Sequence, residues 1–206
     1  MMMPRGDRDP SCLRSAGFTL LELSVVLIIV TLLLGSVLRG EKILDDTRVQ
    51  RMGLDQAAIG SAIRVYVEQY HFLPGDDPRA SSRWPGAVDG NGDGWLDPQS
   101  MEAQHAWAHL RLARLFQAPS SPQGQPQHAG GGGVRLVPDA LGQPGLSVCM
   151  DDVSSLEAAA LDRRFDDGDA AMGRVRRWVV TTDETAGVSR TTWPVTGENV
   201  TVCIAL

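Results

Sequence analysis

The 206-residue chain has 19 Lys and Arg against 25 Asp and Glu, a net charge of -6, and a hydrophobic fraction of 43%. That is enough apolar material for one medium domain with a real core in addition to a membrane segment. With no basic run to track phosphates, the composition argues against a nucleic-acid-binding surface.

The chain opens with MMMPRGDRDPSCLRSAG, short and polar, with Arg5, Arg8 and Arg14. Residues 18–38 then carry a single charge, Glu22, and as a helix they would extend roughly 30 Å, the thickness of a bilayer core. Positive residues ahead of a span tend to stay cytoplasmic, which puts the bulk of the chain on the far side. Arg39 and Lys42 blunt that signal, although Glu41, Asp45 and Asp46 accompany them. A secretory signal peptide has a shorter apolar region, about 7 to 15 residues, and a small-x-small cleavage site, for which LLGSVLRGEK is a poor match. An ionisable group in hydrocarbon is costly, so Glu22 marks a functional position by default.

From Ser11 to Leu73 there is no proline, and Met52, Ile59, Ile63, Tyr66 and Tyr70 recur at helical spacing on one face. The helix is therefore expected to continue as an amphipathic segment over residues 39–73, ending at the Leu73-Pro74-Gly75 breaker. Gly35, Gly40, Gly53 and Gly60 weaken it locally, by up to about 1 kcal/mol each relative to alanine. Downstream, residues 101–116 read as a second helix, and residues 120–133 as a Pro/Gln/Gly-rich loop ending in four glycines. Strands are expected at residues 146–150, 174–182 and 200–205, with a helix in DVSSLEAAALDRRF between the first two.

The stretch DGNGDGWLD places oxygen ligands at Asp89, Asn91, Asp93 and Asp97, the spacing of the first half of a calcium loop with glycine at its sixth position. The twelfth position is Ser100 rather than a bidentate glutamate, so the alternatives are a looser Ca²⁺ site and a solvated Asx and glycine turn. Asp166, Asp167 and Asp169 in FDDGD read as a helix-ending turn or a second metal contact. His105 and His109, one helical turn apart, have ligand spacing but no third ligand. Nucleophilic triads and phosphate loops have no local signature, and no enzyme reading survives. Of the three cysteines, Cys12 precedes the apolar run. If the leader is removed, an oxidising compartment favours a Cys149–Cys203 disulfide closing a loop of about 55 residues, worth roughly 4 kcal/mol by chain entropy. Two separate buried thiols are the alternative. The five tryptophans, Trp84, Trp95, Trp107, Trp178 and Trp193, lie beyond the helix and read mostly as core or loop-packing residues.

The junction Gly17-Phe18-Thr19-Leu20-Leu21-Glu22, followed by the apolar run, resembles the class III signal of type IV pilins and type II secretion pseudopilins. The resemblance implies cleavage between Gly17 and Phe18 by a prepilin peptidase, N-methylation of Phe18, and Glu22 as the fifth residue of the mature chain. It implies an α+β, pilin-like fold: a long N-terminal helix, part transmembrane and part amphipathic, packed on a small antiparallel sheet with a loop-rich head. The divisions would be a cytoplasmic leader at 1–17, a membrane and filament-core helix at 18–38, its amphipathic continuation at 39–73 and a periplasmic or extracellular head at 74–206. LPGD, GNGDG and LDRRFDDGDAAMGRVR also resemble stretches of bacterial pilin-like proteins. The pattern departs at Arg39, where many pilins have proline.

Phe18 and Glu22 are four residues apart, so they share a helix face, and a freed amino group at Phe18 would supply a cation for this carboxylate or a neighbour's. The function implied is a structural subunit, by preference a minor pilin of a type IV pilus-like filament, with a type II secretion or competence pseudopilin as alternative. Its partners would be other pilin or pseudopilin subunits, the prepilin peptidase and an inner-membrane assembly platform. The precursor would cross the inner membrane once, its head in the periplasm, and the filament would stand in the periplasm or at the cell surface. The alternative of another class is a membrane-anchored periplasmic enzyme or metal-binding module that keeps its first 17 residues.

Overall fold

A computed structural model of the protein describes residues 18–97, 100–118, 124–179, 188–189, 192–194 and 197–206; the side chains of 36–43, 179 and 188–189 are outside that description. The leader expected at residues 1–17, with Gly17 and Cys12, lies outside the described residues. The chain divides into two units, residues 1–42 and 43–206. Helix α1, Leu20–Tyr70, contributes to both. In the first unit every described residue is exposed, including Leu20, Leu21, Leu27, Leu32 and Leu33. Among the described residues no helix is long and apolar enough to cross a membrane; the last residues of the apolar run read at 18–38 fall among those whose side chains are not described.

The second unit is built on the face of α1 that the spacing picks out. Met52, Ile59, Ile63 and Tyr66 are buried, Val49 and Ala62 extend the same stripe, and Tyr70 packs half-buried beside it. Gly53 and Gly60, read above as weak points, are contact points: a Cβ at Gly53 would overlap the ring of Phe165, and one at Gly60 would press on Leu206. The helix stops at Tyr70, ahead of the breaker, because His71 takes the left-handed conformation (φ 64°) and its N–H reaches the Val67 carbonyl at 2.8 Å.

Short helices α2 (Ala80–Arg83), α3 (Glu102–Leu112) and α4 (Ser155–Phe165) join a five-stranded sheet of β1 (Val134–Pro138), β2 (Leu146–Ser154), β3 (Val175–Val179), β4 (Val188–Ser189) and β5 (Asn199–Ala205). The strand order is β1-β2-β5-β3-β4, all antiparallel, which makes the fold α+β with a pilin-like architecture. One face of the sheet supplies Val134, Leu136, Val148, Met150, Val175, Val202 and Ile204 to the core shared with α1, Trp107 and Leu110 of α3, and Leu161 of α4. On the other face a 3₁₀ turn, Ala140–Gly142, lies over Cys149 and Cys203, flanked by Val137 and Trp178.

Several boundaries differ from expectation. The second helix ends at Leu112 rather than 116, because Arg114 turns left-handed (φ 58°). Strand β2 runs four residues past Met150, to Ser154, through a bulge. Strand β3 begins at Val175 because a carboxylate oxygen of Asp166 takes the backbone N–H of Arg174 as well as that of Val175; residues 180–182 lie outside the described residues. Strands β1 and β4 and helix α2 were not anticipated. Two glycines of the tract before β1 pack tightly: a Cβ at Gly130 would press on His128 and Met52, and one at Gly132 would strike the Asp151 carbonyl.

Candidate functional site

At the amino-terminal end, Phe18 and Thr19 precede the helix, and the Oγ1 of Thr19 accepts the N–H of Glu22 at 3.1 Å. Thr-x-x-Glu is the capping-box pattern, a signal legible in the sequence that marks the start of α1 and puts an anion at its positive end. Two other described polar side chains of the run bond back to their own helix: Ser24 Oγ donates to the Leu21 carbonyl at 2.8 Å and Thr31 Oγ1 to that of Ile28 at 2.9 Å. Such bonds make a hydroxyl tolerable in an apolar setting. The carboxylate of Glu22 has no such partner among the described residues, so it is the group the segment offers to something else.

In the head, the calcium-like residues are arranged around carboxylates that the motif did not include. Asp76 is fully buried, and its Oδ1 accepts the N–H groups of Gly92 (2.7 Å) and Asp93 (3.1 Å), while Oδ2 accepts that of Gly94 (2.8 Å). Glu102 likewise accepts the N–H groups of Asn91 and Asp97. The loop therefore turns its amides inward as an anion nest. Asp89 points to Ser81, taking its N–H and its hydroxyl at 2.7 Å each, and these bonds hold its carboxyl below the usual range. Asn91 and Asp93 meet each other, Nδ2 to Oδ2 at 2.9 Å. The only described acidic group with ligand atoms all within 4.8 Å of one another is Asp162, Asp166 and Asp167. Of these, Asp162 is buried between Trp193 Nε1 (2.7 Å) and the Gly168 N–H (3.1 Å), and burial pushes its carboxyl up.

A second buried constellation joins α1, α2 and α3. The Tyr66 hydroxyl donates to Asp77 Oδ2 at 2.7 Å, and burial raises it to about 12. Arg83 pairs with the same Asp77 oxygen and sits over the Tyr70 ring, 4.7 Å from its centroid. His109 is fully buried: its Nδ1 accepts the Gly75 N–H at 2.9 Å, which leaves Nε2–H to donate to the Val88 carbonyl at 2.8 Å. That pattern fixes a neutral ring, and burial lowers its pKa. Both ring nitrogens of His109 are thus taken by the backbone, so it has none to offer a metal beside His105. Sequence spacing missed Asp76, Asp77 and Glu102. The LPGDD that follows the helix was the visible signal for Asp76 and Asp77, since an acid beside a Pro-Gly turn is placed to collect backbone N–H groups; Glu102 had none.

Cys149 and Cys203 face each other across β2 and β5 and are joined by a disulfide, with Cα atoms 4.0 Å apart and both residues fully buried. Trp107 is core, Trp84 and Trp193 pack at its edge, and Trp95 is exposed beside the Asp76 nest.

A long amino-terminal helix with an exposed apolar end, joined to an α+β head, is the architecture of pilin-like subunits. The chain carries the prokaryotic N-terminal methylation motif, whose family model matches residues 12–38, the prepilin signal of type IV pilins and pseudopilins. No characterised protein and no solved structure matches the chain.

Proposed function

We propose that the protein is a filament subunit, by preference a minor pilin of a type IV pilus-like system. A prepilin peptidase cuts between Gly17 and Phe18, Phe18 is N-methylated, and residues 18–38 hold the precursor in the inner membrane with its head in the periplasm. The observation that carries this reading is the methylation motif at residues 12–38 on a chain whose apolar residues 18–35 are exposed throughout. Assembly withdraws those side chains from lipid into a bundle of like helices, and Glu22 sets register by pairing with the amino group of a neighbouring Phe18. A type II secretion or competence pseudopilin uses the same signal and helix and differs in the machine that assembles it.

The test is the intact mass, with amino-terminal fragmentation, of the protein from membranes of its native host. A chain starting at Phe18 with one added methyl group supports the reading. A chain that keeps residues 1–17 in a host with active prepilin peptidase overturns it.

Calcium enters only conditionally. For Asp89, Asn91, Asp93 and Asp97 to close on an ion, Asp89 must release Ser81 and the loop must turn oxygens rather than amides inward. A melting temperature that does not move between calcium and chelator removes the metal.

A further inference from the structure

The bulge in β2 opens a pocket that nothing above uses. Pairing with β5 passes from Met150↔Val202 to Val153↔Val200, so that Asp151 and Asp152 together stand opposite Thr201. Asp152 is left-handed (φ 57°), a conformation that aspartate tolerates better than most residues and that here turns the bulged strand. The resulting pocket, about 420 Å³, is lined by Asp151, Asp152, Arg177, Trp178, Asn199 and Thr201. It lies at the small end of the range for ligand sites.

Most of the charge in this lining is already committed. Asp151 accepts two bonds from Arg135, at 2.7 Å each, and one from the Thr201 hydroxyl at 2.9 Å. Arg177 turns to the Glu198 carboxylate (3.1 Å) and the Thr192 carbonyl (3.4 Å). Trp178 packs on one side against Ala140 and the disulfide. What remains is the aromatic surface of Trp178, the exposed carboxylate of Asp152, the exposed amide of Asn199 and the buried Nε–H of Arg177; among the described residues none of these three polar groups has a hydrogen-bond partner.

An apolar ligand would leave the carboxylate and the amide desolvated without compensation. A hard cation such as calcium requires six to eight oxygens, of which the pocket offers few that are free. An anion would meet Asp152. A polyol fits: its C–H face lies on an indole, and its hydroxyls donate to a carboxylate and exchange bonds with an amide. We infer that this pocket binds a neutral hexose unit of a glycan, with Trp178 beneath the ring, Asp152 accepting from its hydroxyls and Asn199 orienting it.

The test is saturation-transfer NMR on the full chain in a detergent without sugar head groups, with glucose, galactose, mannose and N-acetylglucosamine as probes at millimolar concentration. At least one hexose is expected to receive transfer. Asp152→Gly suits the left-handed backbone while deleting the carboxylate, so it should fold as well as the parent yet bind about tenfold or more weakly. Asn199→Ala should weaken binding in the same direction. Silence from all four sugars, transfer unchanged in both variants, or binding of tetramethylammonium in their place would overturn the inference.

Discussion

Asp76 gathers three backbone N–H groups on its two oxygens, so its removal strands several buried donors at once. Asp76→Ala is expected to destabilise the head by about 2–4 kcal/mol in denaturant titration. Asp76→Asn should fall between it and the parent, because an amide keeps one acceptor oxygen and presents N–H to N–H at the other position. His109 gives a pH dependence whose sign follows from its neutral, buried ring. Its folded-state pKa lies below the ordinary value of 6.5, so above that value both states are neutral and stability is whole. As pH falls below 6.5 the unfolded chain takes up a proton that the folded one refuses, and stability declines until the depressed folded value is reached. The melting temperature should therefore fall between pH 7 and pH 5, and His109→Gln should flatten that slope. An equal slope in the variant would assign the acid sensitivity elsewhere. These two residues were only half legible beforehand. His109 was visible as one of a pair with ligand spacing, whereas its partners, Gly75 and Val88, lie 34 and 21 residues away and follow no local pattern.

Among the elements, α1 was the most legible because a helix face repeats. The buried stripe from Met52 to Tyr66 is the periodicity itself, and only its end was misplaced, by the left-handed turn at His71 ahead of the Pro-Gly breaker. Strand β1 was missed although Val134 and Leu136 alternate with Arg135, because the glycine tract ahead of it reads as loop and Pro138 closes it after five residues. Proline is tolerated there because β1 is an edge strand. The glycines of α1 show why composition misleads about energetics. In an exposed helix Gly→Ala gains up to about 1 kcal/mol, and Gly35, with nothing within 4 Å of its would-be Cβ, should follow that rule in the isolated chain. At Gly53 the methyl would overlap the far end of the Phe165 ring from α4, which is itself 47% exposed and must swing off the helix, giving up its packing there and offsetting that gain. Gly53→Ala is thus expected to give a lower melting temperature than Gly35→Ala, which leaves it unchanged or raises it. Phe165→Ala combined with Gly53→Ala should recover part of the loss, since the clash disappears with the ring. If the two glycine variants behave alike, the contact between α1 and α4 does not set the packing distance.

Over the whole chain, the apolar surface falls into two classes with different fates. Residues 43–206 bury most of theirs internally, around one core and a disulfide on the far face of the sheet, and the exposed remainder is scattered singly. Residues 18–35 bury none of it, and exposed aliphatic surface on this scale is stable only when another apolar phase covers it. Within that surface Ser24 and Thr31 satisfy themselves, so Glu22 alone needs an external partner, and a partner is available only where a cation enters the same apolar phase. On the reading proposed above, that cation is a freed amino terminus, the subunit's own or a packed neighbour's, and only the neighbour's would tie the pairing to assembly. Glu22→Ala should therefore leave the precursor inserted and cleavable but abolish or strongly reduce filament incorporation, read as the ratio of sheared filament to membrane-bound protein. Glu22→Gln separates charge from hydrogen bonding: an amide keeps the acceptor oxygen but cannot neutralise an ammonium, so it should fail nearly as badly as alanine. Full assembly by Glu22→Gln would mean that hydrogen-bonding capacity is what the position requires. Full assembly by Glu22→Ala would leave the carboxylate with only its place at the amino-terminal end of α1, where an anion is worth typically about 0.3–1 kcal/mol. An increment that small is within reach of any acidic residue in the first turn and would not explain a carboxylate inside an apolar run, so the alanine variant bears most directly on whether this helix is built for assembly or for anchorage alone.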